Sequence, residues 1–161
     1  MGMLSEDMKR VVREQRLGFV ATVCPDGTPN LSPKGTLIID GDSRLAFADL
    51  ASPQTIANLR VNPSVETNVV DQRVRTGYRF KGTATVVAEG PELERLVVLL
   101  NEVLGTDPVP WGDRARVFVS IEVESASALV SPSYAEGASA TELASHWQGY
   151  WNVLWRRTSK R

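Results

Sequence analysis

Two short turns near the N-terminus constrain the fold of this 161-residue chain more than any other feature. Pro25-Asp26-Gly27-Thr28 follows the β-rich run Leu17–Cys24 and precedes a second run, Pro29–Ile39. Asp40-Gly41-Asp42-Ser43 then leads into a third short run, Leu45–Ala48. Turns of this kind close β-hairpins, whereas parallel strands need crossovers of about a dozen residues or more. The first part of the sheet is therefore predicted to be antiparallel.

The rest of the chain adds three strands and several helices. The further β-rich or alternating runs are Ser64–Val70, Tyr78–Val87 and Val117–Glu124, and apolar residues at helical spacing mark Ser5–Gln15 and Gly90–Gly105. We expect one domain, residues 1–161, that is mainly β with flanking helices and forms a six-stranded antiparallel barrel. A helical extension is expected from about residue 139. Its Trp147, Trp151 and Trp155 are predicted to pack on the barrel or on a partner subunit.

Composition excludes several classes of function. Eighteen basic and nineteen acidic residues give a formal net charge of −1, which provides no global attraction to nucleic acid or to an anionic membrane. No apolar run approaches the roughly 20 residues that span a bilayer, and no signal peptide is apparent, so we expect a cytoplasmic protein. One cysteine, Cys24, and one histidine, His146, predict neither a disulfide framework nor a metal site.

A short helix with an open N-terminus is predicted after the third strand. Ser52 suits the N-cap, Pro53 suits the first helical position, and Asn62-Pro63 ends the helix. The first backbone N–H groups of such a helix lack intrahelical partners, and the positive end of its dipole lies there. This helix start is therefore predicted to hold a phosphate or another anion, the alternative being a connector helix without a ligand.

The order and spacing of these segments resemble the pyridoxamine 5′-phosphate oxidase-like, FMN-binding split-barrel proteins. The matching segments are the opening hairpin (Phe19–Val23 with Pro25–Asn30), the third strand with its helix (Leu45–Asp49 with Ser52–Leu59) and the fifth strand (Gly77–Ala84). The closest subgroup is that of the predicted flavin-nucleotide-binding proteins. The resemblance implies a Greek-key, six-stranded antiparallel split barrel and a homodimer that binds FMN at the subunit interface.

Ten residues become candidates for cofactor contact in that context. They are Ser32, Pro33, Lys34, Gly35, Thr36, Asp49, Ser52, Gln54, Thr55 and Arg79. Lys34 would reach the phosphate or the pyrimidine edge of the flavin, while Ser52, Gln54 and Thr55 would donate to the phosphate. Arg79 either serves the cofactor or pairs with a surface carboxylate. Asn58 is expected to bond the local backbone instead of touching a ligand.

Two departures from the family pattern widen the range of functions. Gln54 and Thr55 stand where oxidases of this family usually have basic residues, which leaves room for the deazaflavin F420 as the cofactor. The C-terminal motif that recognises the pyridoxal ring is not found after Ser131, so pyridoxamine phosphate oxidation is not expected. We expect a flavin-dependent oxidoreductase acting on an unidentified small molecule, with no catalytic side chain assigned. The alternatives are a non-enzymatic flavin carrier or sensor, an F420-binding barrel and a haem-binding barrel.

Overall fold

The structure is a computed structural model that describes residues 2–105, 114–115 and 117–158. Its helices and strands follow one another in a simple order. They are α1 (Glu6–Gln15), β1 (Gly18–Val23), β2 (Pro29–Lys34), β3 (Ile38–Asp40), β4 (Arg44–Asp49), α2 (Pro53–Val61), β5 (Ser64–Asp71), β6 (Thr76–Val87), α3 (Pro91–Leu104), β7 (Val117–Val130) and α4 (Ala140–Thr158). A 3₁₀ turn, Pro132–Tyr134, joins β7 to α4.

The seven strands of the described residues form one antiparallel sheet in the order β2-β1-β5-β6-β7-β4-β3. The predicted mainly β, antiparallel architecture with flanking helices is confirmed and is consistent with a split barrel. The expected number of six strands is wrong, because the run Pro29–Ile39 is divided between β2 and β3. Lys34 is the last residue of β2 to pair with β1, and Ile38 pairs instead with Ala46 of β4. The two halves of this run lie at opposite edges of the sheet, which is not closed.

Hydrophobic cores lie on both faces of β4. Leu45 and Phe47 point into the larger core, which α1 and α2 help to cover, while Ala46 and Ala48 point toward α3. Burial on both faces accounts for the uninterrupted apolar run in this strand. Leu96 and Leu100 of α3 are fully buried against this second face, and each contributes roughly 1.5–3 kcal/mol by removal from water.

An ion pair between exposed Arg95 and buried Asp40 fixes α3 to the edge strand β3. The guanidinium of Arg95 donates to both carboxylate oxygens of Asp40, at 2.8 and 2.7 Å, and Arg44 lies 3.1 Å away on the other side. Hydrogen bonding from Arg95, with the charge of Arg44 adding to it, holds the pKa of Asp40 below its ordinary value. The position of α3 is therefore set by this charged contact as well as by its leucines.

The C-terminal helix α4 meets the body of the protein at the turn between β5 and β6. The guanidinium of Arg75 lies 3.5 Å from the centre of the Trp147 ring, and Tyr134 Oη donates to the carbonyl of Val74 at 2.7 Å. The tryptophans of α4 remain partly or largely exposed. Within the part of the chain that the structure describes, no helix is long and apolar enough to cross a membrane.

Candidate functional site

Lys34, at the end of β2, is a buried cation whose hydrogen-bond partners are hydroxyl groups. Its Nζ donates to Ser32 Oγ at 2.7 Å and to Ser52 Oγ at 2.5 Å, and only 4% of the residue is exposed. The face of the Phe47 ring lies 5.3 Å from Nζ. Burial lowers the pKa of Lys34, and the negative charge of Asp49 opposes that shift without cancelling it. Among residues 2–105, 114–115 and 117–158, no carboxylate lies within ion-pair distance of this ammonium group.

The loop before α2 is organised by Asp49. Asp49 Oδ1 accepts a hydrogen bond from the backbone N–H of Ser52 at 3.0 Å. Ser52 occupies the N-cap position, as predicted, but its side chain makes no capping bond to α2. Instead its Oγ accepts from Lys34 and lies 3.3 Å from Ser32 Oγ. The expected capping role of Ser52 is therefore wrong, because a buried ammonium group takes the hydroxyl that would have served the helix.

A cavity opens beside this helix start. It has a volume of about 280 Å³ and is lined by Asp49, Ser52, Pro53, Ile56 and Arg60, among others. Arg60, in the last turn of α2, is the cation in this lining, and the sequence did not single it out. Lys34 and Ser32 do not line this cavity, and Ser52, which accepts from Lys34, connects the buried lysine to it.

A polar network fixes α2 on the hairpin formed by β1 and β2. Asn58 is completely buried, and its Nδ2 donates to Thr22 Oγ1 at 3.0 Å and to Cys24 Sγ at 3.4 Å. Asn58 Oδ1 accepts from Gln54 Nε2 at 2.7 Å. The expectation that Asn58 bonds the local backbone is wrong, because strand β1 places hydroxyl and thiol acceptors against α2.

Thr55 belongs to the same network and does not line the cavity. Its side chain is buried, and Asn30 Nδ2 lies within hydrogen-bond reach of both Thr55 Oγ1, at 3.3 Å, and Thr22 Oγ1, at 3.1 Å. The sequence did not identify Thr22 and Asn30. The available signal was alternation: Thr22, Asn30 and Lys34 all fall on the face of the hairpin that α2 covers, where polar residues need partners.

Gly35 and Thr36 follow Lys34 without joining its cluster. Thr36 Oγ1 donates to the carbonyl of Ala48 at 2.8 Å and accepts from the N–H of Ala48 at 3.2 Å, so it serves to connect the chain to β4. A Cβ atom added to Gly35 would meet no atom within 4 Å. Pro33, between Ser32 and Lys34, is exposed on the opposite face of β2.

Arg79 lies on that opposite face and is separated from Lys34 by the sheet itself. It is paired across β5 and β6 with Asn68, which in turn pairs with exposed Phe19 of β1. Arg79 Nε lies 2.9 Å from Glu66 Oε1, and Lys81 Nζ lies 3.3 Å from Glu66 Oε2. The sequence predicts either a cofactor contact or a carboxylate pairing for Arg79, and within one chain Arg79 pairs with the carboxylate of Glu66.

The outer face of the β1–β2 hairpin is apolar and exposed. Phe19 is 42% exposed and Leu31 is 64% exposed, and Val23 and Pro33 extend the same surface along the two strands. The register places Ala21 opposite Leu31 and Phe19 opposite Pro33, so these side chains form a continuous stripe. A contiguous apolar stripe of this kind is typical of a surface that another molecule covers.

Comparison with known proteins agrees with this architecture. A family model for pyridoxamine 5′-phosphate oxidase matches residues 4–129, well over half of the chain. No curated protein sequence matches the chain significantly. HupZ from Group A Streptococcus is 28% identical, with a TM-score of 0.66, over 77% of this chain and 92% of HupZ. The conserved hypothetical protein Rv2991 from Mycobacterium tuberculosis is 29% identical, with a TM-score of 0.65, over 80% of this chain and 86% of Rv2991.

More distant structures share the fold alone. An F420 reductase is 24% identical, with a TM-score of 0.61, over 77% of this chain and 98% of the reductase. An FMN-binding protein from Syntrophomonas wolfei is 16% identical, with a TM-score of 0.59, over 76% and 84% of the two chains. The heme storage protein HutZ from Vibrio cholerae is 18% identical, with a TM-score of 0.60, over 81% and 95%.

Proposed function

The chain belongs to the pyridoxamine 5′-phosphate oxidase family, and on that premise we propose that it binds FMN with the phosphate at Lys34 and the start of α2. The observation that supports this proposal most directly is the buried ammonium group of Lys34. An ammonium has three N–H donors, and two of them are directed at Ser32 and Ser52. The remaining donor and a positive charge that has no carboxylate of the described residues within ion-pair distance suit an anionic oxygen.

The groups next to Lys34 can bind a phosphate by donating hydrogen bonds, and they carry no positive charge of their own. The hydroxyls of Ser32 and Ser52 can turn toward an anion, and α2 begins beside them without a side-chain cap. Gln54 is exposed at this helix start and carries no charge. Asp49 contributes a negative charge close by, so the phosphate would be held less tightly than at a site with several cations. Thr55, which is buried and bonded to Asn30, is not proposed as a phosphate ligand.

A homodimer is proposed on the outer face of the β1–β2 hairpin. The apolar stripe of Phe19, Val23 and Leu31 would be removed from water by a second copy, as in the arrangement that the family resemblance implies. Arg79 shares this face and would then lie in the subunit interface, together with Glu66. Only such a placement would bring Arg79 near a cofactor, because the sheet separates it from Lys34 within one chain.

The proposed activity is that of a flavin-dependent oxidoreductase acting on a small molecule. A bound flavin supplies the electron or hydride transfer, so the protein needs to bind, orient and shield it and needs no acid–base pair of its own. Lys34 would hold the phosphate end, Ser32 and Ser52 would orient it, and the β1–β2 hairpin would form one wall. A non-enzymatic flavin carrier uses the same contacts and is distinguished only by reactivity.

Binding and reduction experiments test the proposal in sequence. The purified protein is titrated with FMN, riboflavin, F420 and haem, and flavin binding is followed by fluorescence quenching. We expect FMN to bind more tightly than riboflavin, since only FMN carries the phosphate. Equal affinity for the two flavins would contradict the phosphate site. Binding of F420 or haem without any binding of FMN would refute FMN as the cofactor. Reduction of the bound FMN by NADH or NADPH would support an enzyme, whereas reduction only by dithionite would support a carrier.

A further inference from the structure

A second cavity lies between α1, β3 and α3, and none of the proposed FMN ligands lines it. Its volume is about 340 Å³. Val12 of α1, Leu37 before β3, and Leu99 and Val103 of α3 form apolar walls. The bidentate contact between Arg95 and Asp40 holds α3 against β3, so the walls belong to elements that are fixed in place. The volume is at the small end of the range that ligand pockets occupy.

Basic side chains surround the mouth of this cavity, and they are not equally engaged. Lys9 donates to Glu6 Oε1 at 2.9 Å and to Asp42 Oδ1 at 2.6 Å. The hydrogen bond from Lys9 holds the pKa of Asp42 below its ordinary value, so this carboxylate is ionised and already paired. Arg16, whose φ of 52° turns the chain at the end of α1, donates to the carbonyl of Val103 at 3.4 Å.

Arg13 is the cation that remains available. It is exposed and lines the cavity, and in the described residues the structure gives it neither a hydrogen bond nor an ion pair. The neighbouring Arg16 serves the last turn of α3, which has no basic residue of its own. A ligand with one negative charge would therefore meet, beside an apolar chamber, a guanidinium that no described residue engages.

We propose that this cavity binds a small amphiphilic carboxylate. Its apolar chain would lie between Leu37, Leu99 and Val103, and its carboxylate would accept hydrogen bonds from the planar fork of Arg13. A monoanion fits better than a phosphate dianion, because Asp42 and the carbonyl end of α3 both place negative charge near the mouth. A neutral chain of the same length would leave Arg13 without a partner.

Calorimetric titration with decanoate, kept below its micelle concentration, tests the proposal. We expect saturable binding to one site per chain, with Arg13→Gln weakening it at least fivefold and Arg13→Lys giving an intermediate value. Arg10→Gln is the matched control, since Arg10 lies on α1 outside the cavity, and it should change the affinity less than twofold. Butyrate, which is too short to fill the chamber, and decanol, which lacks the charge, should both bind more weakly than decanoate.

Several results would overturn the proposal. They are an absence of saturable decanoate binding, an equal affinity of Arg13→Gln and the wild type, and decanol binding as tight as decanoate. Decyl phosphate binding more tightly than decanoate would show that the site prefers a dianion, which contradicts the charge argument. A variant with Leu99→Asp places a charge in the chamber wall and should abolish binding; retained binding would also refute the site. Since Lys34 and its partners do not line the cavity, these results stand whether or not FMN binds.

Discussion

Replacing Lys34 with methionine separates a role in ligand binding from a role in folding. Methionine keeps most of the length and the apolar character of the side-chain stem but removes Nζ, and with it the charge, the donors and the cation–π contact with Phe47. The wild-type fold carries the desolvation of a buried ammonium whose direct partners are two neutral hydroxyls. Ser32 and Ser52 retain each other at 3.3 Å after the change. The free energy of unfolding should therefore change by no more than about 1 kcal/mol.

FMN binding should respond far more strongly to the same change. A hydrogen bond between charged groups contributes about 1.5–3 kcal/mol, which corresponds to a loss of affinity of roughly 10- to 150-fold. The dissociation constant is measured by quenching of FMN fluorescence, and stability is measured by urea unfolding of the same preparation. Arg10→Met is the control, since it also removes one positive charge, but from the exposed face of α1. An unchanged FMN affinity in a folded Lys34→Met variant would refute the phosphate site. A loss of stability above about 3 kcal/mol would show that Lys34 is retained for folding.

Four further outcomes are expected. Gln54→Lys adds a charge at the start of α2 and should tighten FMN binding by about threefold to tenfold in the same titration, with riboflavin unaffected. Because burial lowers the pKa of Lys34 below its ordinary 10.5 and an anion binds only the protonated amine, FMN affinity should fall as pH rises through that lowered pKa. An FMN affinity that does not change with pH up to pH 10.5 would contradict the role of Lys34 as the phosphate ligand. Leu31→Asp should shift the protein to monomers in analytical ultracentrifugation, while Val98→Asp, at a similarly exposed position on α3, should not. Asn58→Leu removes the three hydrogen bonds of a fully buried side chain and should lower the free energy of unfolding by about 2–3 kcal/mol, seen as a lower urea midpoint with an unchanged slope.

The opening hairpin was predictable because its information is local. Pro25-Asp26-Gly27-Thr28 contains the residues that favour a tight turn, and the flanking runs pair in register from Val23↔Pro29 to Gly18↔Lys34. The division of the second run was not predictable in the same way. Its residues favour strands on both sides of Gly35, and the chain leaves β1 because Ile38–Asp40 finds a better partner in β4. That choice depends on tertiary pairing and leaves no mark on the local sequence.

The candidate site shows a similar limit. The family resemblance left Lys34 either at the phosphate, where Ser52 was expected, or at the pyrimidine edge of the flavin, and the structure joins Lys34 to Ser52 by a hydrogen bond. The N-cap preference of serine predicts that the Ser52 side chain caps α2, because such preferences take no account of the residues packed around a helix. Alternation along β6 indicates that Arg79 and Phe80 project to opposite faces of the sheet. Which of the two faces α2 covers is decided by the register of β1, β5 and β6. The partner that Arg79 finds in Glu66 follows from that register.

The charge balance of the site explains why the sequence points to an anion without identifying it. Lys34 supplies one buried positive charge, Arg60 supplies an exposed one at the adjoining cavity, and Asp49 supplies a nearby negative charge. Gln54 supplies none. Hydrogen-bond donors and one lysine bind a phosphate monoester or a phosphodiester by the same contacts, so this end of the site discriminates weakly between FMN and F420. Selectivity between the two must then reside at the ring end of the cofactor. Under the proposed dimer, a second subunit would contribute there the contacts that one chain does not contain.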